Sequence, residues 1–151
     1  VPETVELASA EDTAAFGAAL GAALRAGDLV LLAGPLGAGK TVLAKGIAAG
    51  LGVGGRVSSP TFVIAREHPA GERGIPLVHV DAYRLGGDLD QIDDLDLDTE
   101  LVRAVVVVEW GQEAGRLSDD HLLITLTRRD DDTRQATITR HGAWADRAWA
   151  I

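Results

Sequence analysis

Apolar and polar positions along the 151-residue chain fall into short segments of two distinct periods. "TVELAS" alternates and predicts a short strand. Ser9 stands three residues before Asp12, a helix N-terminal box, and Phe16, Leu20 and Leu24 then recur every four residues as one apolar stripe, with Gly27 as a stop. "DLVLLA" is an unbroken apolar strand, and a glycine-rich turn separates it from a helix marked by Leu43, Ile47 and Leu51 that ends among Gly50, Gly52, Gly54 and Gly55. "PTFVIAREH" and "LVHVDAY" read as strands joined through the turn-rich "PAGERGIP", which predicts an antiparallel pair. The acidic stretch after Arg84 reads as loop with one short helix. "AVVVVEW" is a β-branched run of the kind covered on both faces, hence a central strand. "HLLITLT" and "QATITR" alternate around "RRDDDTR" as a hairpin at the sheet edge, and "AWADRAWAI" reads as a short terminal helix. The pattern predicts a single α/β domain over residues 1–151, a mixed β-sheet flanked by helices with a C-terminal β-hairpin.

Composition narrows the chemistry. The chain has no cysteine, which excludes disulfides, zinc thiolate sites and thiol catalysis. No apolar run approaches the roughly 18 residues of a membrane span, and "VPETVELAS" has neither a basic region nor a hydrophobic signal segment, so a cytoplasmic protein without a membrane role is expected. The formal net charge is -9, concentrated in "GGDLDQIDDLDLDTE" and "RRDDDTR". Such a surface repels nucleic-acid phosphates, so no autonomous DNA or RNA binding is expected and any role in nucleic-acid metabolism should go through a protein partner.

The turn "GPLGAGKT" matches a phosphate-binding loop at every fixed position. Gly34, Gly37 and Gly39 let the backbone of this loop, which also holds Pro35, Leu36 and Ala38, curl so that N–H groups point inward at phosphate oxygens, at the positive end of the following helix. Lys40 supplies a mobile cation for the β- and γ-phosphates, and the Thr41 hydroxyl a ligand for Mg²⁺. The flanking strand and helix are the context that this mechanism requires. Two apolar strands also finish in an acid: Asp81 after "LVHV" matches the aspartate that holds metal-bound water, and Glu109 after "VVVV" can approach the metal or orient and deprotonate the attacking water.

Guanine recognition by an Asn-Lys-x-Asp element is impossible in a chain without asparagine, which favours ATP or ADP. Trp110 must face the other side of its strand from Glu109, against a nucleotide, a partner or the core. His79 shares strand parity with Asp81 and Tyr83 and reads as a core histidine or one supporting the site. The hydroxyl-rich "SSPTF" reads equally as a rigid turn or as a switch in which Thr61 senses γ-phosphate and Mg²⁺.

In this order and at these separations, "GPLGAGKT", "SSPTF", "HVDAYRL" and "VEWGQ" resemble the bacterial TsaE family, also called YjeE. The resemblance runs over nearly the whole chain. It implies a P-loop fold, ATP with Mg²⁺, and an ATPase that supports threonylcarbamoyl-adenosine modification of tRNA in association with TsaD and TsaB. By position it makes Lys40 and Thr41 the nucleotide and metal residues, Asp81 the metal aspartate and Glu109 an essential glutamate. It likewise makes Thr61 switch-like and Trp110 the tryptophan after that glutamate. The rival readings are a small P-loop kinase, against which the acidic segment after Tyr83 argues, and a non-catalytic nucleotide-dependent adaptor. Arg56, Arg66 or Arg84 could complete the site in cis, or a partner could supply an arginine.

Overall fold

In the computed structural model, residues 3–35, 38–53, 65–81, 102–109, 119–131, 133–147 and 149 are described. Strand β1 (Glu3–Leu7) leads through Ser9 into helix α1 (Ala10–Ala23). The Ser9 side chain accepts the Asp12 N–H at 3.1 Å, so the predicted cap forms, while the Asp12 carboxylate accepts the N–H of Ala8, one residue before the cap, at 3.1 Å. At the other end of α1, Arg73 donates to the carbonyls of Leu24 and Gly21, both at 2.7 Å, and the latter also accepts the Leu24 N–H, which ties down the last turn.

Strand β2 (Leu29–Ala33) is followed by helix α2 (Lys40–Leu51), and strands β3 (Ala65–His68) and β4 (Leu77–Asp81) form the expected antiparallel pair. Strand β5 (Val105–Glu109) precedes the hairpin β6 (His121–Arg128) and β7 (Arg134–His141). The seven strands make one mixed sheet in the order β1-β7-β6-β2-β5-β4-β3. Strand β2 runs parallel to both β5 and β6, and β4 is parallel to β5. All four core valines of β5 are fully buried, as a run covered on both faces requires.

The hairpin differs from the sequence expectation. It is internal: β6 pairs with β2, and β1 covers β7 as the edge strand. Alternation of buried Leu122, Ile124 and Leu126 cannot tell an edge from an interior position, because pairing partners distant in sequence decide that. The terminal segment forms a 3-10 helix over Gly142–Asp146 rather than one running to the end of "AWADRAWAI".

Helices α1 and α2 lie on the face that carries Val30, Leu32, Val105, Val107, Leu122 and Ile124. Leu20, Leu24, Leu43, Ile47 and Leu51 are buried there, each contributing about 1.5–3 kcal/mol. The helices touch through glycines. A methyl group at Gly21 would run into the Ile47 carbonyl, and one at Gly50 into that of Ala18, so no larger residue fits at this separation. α1 thus holds α2 down with its first turn over the end of β2.

Candidate phosphate site

β2 ends at Ala33, and the chain turns through Gly34, whose φ is 136° and whose α-carbon has no room for a side chain beside the Leu126 carbonyl. Leu36 and Gly37 lie outside the described residues. Ala38 is buried and donates to the Pro35 carbonyl at 3.1 Å, closing the turn. Gly39 is the N-cap of α2 with φ 104°, a left-handed conformation that favours glycine, and it supplies no capping side chain. The first α-helical bond runs from the Leu43 N–H to the Gly39 carbonyl, so the amides before Leu43 have no acceptor inside the helix. An uncapped N-terminus behind a tight turn is the backbone of an anion cradle.

Lys40 gives that cradle its charge. It is only 5% exposed, and its Nζ donates to the carbonyls of Gly34 at 2.7 Å and Pro35 at 2.9 Å. A phosphate oxygen is a stronger acceptor than a carbonyl, so an entering phosphate can draw the ammonium from these bonds. Thr41 follows, half-buried in the first turn.

Sheet register brings the acids to the same end. Glu109 on β5 stands level with Leu32 on β2 and with Asp81 on β4. Because paired residues of a parallel ladder share a face, Glu109 lies on the side covered by α2, two residues below the level of Gly34. Glu109 is buried and hydrogen-bonded to His79, with Nε2 and Oε2 2.6 Å apart. His79 is opposite Val107, so the contact is the diagonal one between neighbouring strands. Three expectations, Lys40, Thr41 and Glu109, are therefore gathered at one sheet end, and the backbone of Asp81 stands beside them. Thr61, Trp110, Tyr83, Arg56 and Arg84 lie outside the described residues, and the side chain of Arg66 does too.

One neighbour of the loop has no sequence motif. Arg134, at the start of β7, donates from Nε to the Ala38 carbonyl at 3.2 Å across 96 positions of chain. With Ser9, Thr13, Gly39, Val42 and Arg128 it lines a cleft of about 190 Å³ beside the loop. Only the sheet order brings these residues together. Among the described residues no three or more His, Cys, Asp or Glu side chains cluster as a protein-only metal site, and no helix is long and apolar enough to cross a membrane.

This architecture has known counterparts. A family model described as Threonylcarbamoyl adenosine biosynthesis protein TsaE matches residues 7–136. The chain is 54% identical over 136 residues to the tRNA threonylcarbamoyladenosine biosynthesis protein TsaE of Streptomyces coelicolor, covering 86% of this chain and 92% of the relative. The protein of the same name from Bacillus subtilis is 40% identical over 134 residues, 87% of this chain and 82% of that one. The crystal structure of Bacillus subtilis YdiB matches with a TM-score of 0.80 at 32% identity, over 97% of this chain and 90% of that chain. The mixed seven-stranded sheet with its loop between β2 and α2 is thus a P-loop NTPase-like fold.

Proposed function

This chain belongs to the TsaE family, and from that premise we propose that it is a Mg-dependent ATPase supporting tRNA threonylcarbamoyladenosine formation. In this reading it works with TsaD and TsaB, and hydrolysis resets their complex. The observation that carries the reading is the turn Gly34–Thr41, with the buried Lys40 folded onto it and Glu109 at the adjacent strand end.

The amides at the start of α2 and the Lys40 ammonium bind the β- and γ-phosphates, and the cleft lined by Val42, Arg128 and Arg134 takes the nucleoside. With no asparagine in the chain, the base is adenine rather than guanine. Thr41 and Asp81 offer the hard oxygen donors that Mg²⁺ accepts alongside substrate phosphates. When bound, Mg²⁺ would offset the negative charge of the triphosphate. Glu109 takes a proton from water, the water oxygen bonds to the γ-phosphorus, and the bond to the β–γ bridging oxygen breaks, leaving ADP and phosphate.

A net charge of -9 leaves tRNA to the partner proteins. A partner is expected to complete the site, since a transition-state arginine arriving from outside is worth about 10³ to 10⁵ in rate in related nucleotide hydrolases. The test is steady-state phosphate release by the protein alone, with TsaD or TsaB, and with both. A slow basal rate that rises with both partners is expected; an identical rate in every mixture, or none in any, overturns the reading.

A further inference from the structure

Glu109 is joined to a histidine that the proposed reaction does not otherwise use. His79 is fully buried, and its Nε2 lies 2.6 Å from the Glu109 Oε2. Its other ring nitrogen, Nδ1, is buried with no hydrogen-bond partner among the described residues. The Glu109 side chain keeps 5% of its surface exposed against 0% for His79, so the pair opens outward through the carboxylate alone.

These facts select one tautomer of the ring. A proton on Nδ1 would be an unpaired buried donor and would leave Nε2 with none to give Glu109. A proton on Nε2 leaves only an unpaired acceptor lone pair and is donated to the Glu109 carboxyl oxygen. Unpaired buried donors are the rarer and costlier defect.

We propose that His79 is a positioning residue for Glu109: an imidazole that donates from Nε2 to Oε2 and leaves Oε1 as the oxygen that receives the proton of water. The role rests on Glu109 being the base, as proposed above. One oxygen is pinned from beneath by a ring that β4 and β5 hold rigidly, so the carboxylate cannot rotate away from the phosphate site.

The test compares His79→Leu, which fills the space without a donor, with His79→Gln, whose amide N–H can replace Nε2–H. In ATP hydrolysis with the partner proteins present, His79→Leu is expected to lower kcat by about 10- to 100-fold with ATP affinity unchanged, because a misaligned base costs rate rather than binding. His79→Gln should recover most of the loss, and the double variant with Glu109→Gln should be no slower than Glu109→Gln alone. Ring ¹⁵N shifts of His79 in the wild-type protein should report the Nε2–H tautomer, a readout independent of turnover that still decides the matter if His79→Leu fails to fold. His79→Leu at the wild-type rate beside a slow Glu109→Gln, or a ring protonated on Nδ1, overturns the positioning role alone. Glu109→Gln at the wild-type rate overturns the base itself, and the positioning role with it.

Discussion

The two ends of the sheet hold their charges differently. At the end opposite the loop, charge meets charge: Asp28 pairs with Arg147 at 2.6 Å and also accepts the Arg25 N–H at 2.6 Å. The Arg147 guanidinium lies 4.1 Å from the Trp144 ring centre, and Arg140 binds Glu3 at 2.8 Å while lying 5.4 Å from the Trp149 ring centre. A cavity of about 410 Å³ is lined there by Arg25, Asp28, Trp144 and Arg147, whose charges already answer one another. At the loop end, the bonds described for Lys40 go to backbone carbonyls, and Glu109 is bonded to a histidine. Mutual neutralisation makes a structural clamp, whereas the carbonyl bonds of Lys40 and the histidine bond of Glu109 hold both groups beside the turn, where a ligand can compete for them.

If that contrast is right, substitutions at the two ends should separate activity from stability. Glu109→Gln is expected to cut phosphate release about 100-fold or more with little change in melting temperature. Arg147→Ala should do the reverse, costing about 3 kcal/mol in denaturant unfolding because Asp28 is left nearly buried without its partner, while nucleotide affinity stays as it was. A stability loss in the first variant, or an affinity loss in the second, would break the comparison.

A smaller effect tests the scaffold between the ends. Gly50→Ala should destabilise by about 1–3 kcal/mol, since the added methyl meets the Ala18 carbonyl and must push α1 from α2. It should also weaken ATP binding, because α2 carries the cradle. Smaller again is Arg134→Ala, which removes one bond to the Ala38 carbonyl and should weaken ATP binding roughly 2- to 10-fold in calorimetry, the worth of a single hydrogen bond.

The least effect is expected on the surface of the sheet edge. The Arg129 guanidinium bonded to Glu6 holds its carboxyl below the usual carboxylate range. A depressed folded value means that the stabilisation is present above the unfolded value and is lost as pH falls through the folded one. The melting temperatures of wild type and Glu6→Gln should therefore differ slightly at neutral pH and converge on acidification below the ordinary carboxylate range. A gap that widened toward acid would contradict this sign. Salt should narrow it as well, since the pair is exposed.

Much of this molecule could be read from local pattern. The Ser9 box, the stripes of both helices, the buried valine run and the turn "GPLGAGKT" each depend on residues a few positions apart, where backbone geometry and hydrophobic period act directly. The family likeness rests on four such motifs. Reach across the chain could not be read: Arg134 beside Ala38, Arg73 on the end of α1, and Arg147 against Asp28 are ordinary arginines until the sheet order sets their neighbours.

The sequence by itself determined that a phosphate-binding loop sits between a buried strand and a helix, because glycine, lysine and threonine at those spacings satisfy local steric and charge requirements. It also determined that Glu109 ends a strand covered on both faces. Only the tertiary structure decided that the hairpin is internal and that β1 closes the sheet. It alone decided that His79 and Glu109, 30 positions apart, share a hydrogen bond. Strand parity places each side chain on a face, but the partner across a parallel ladder depends on register, and register is set by the packing of the whole sheet against α1 and α2.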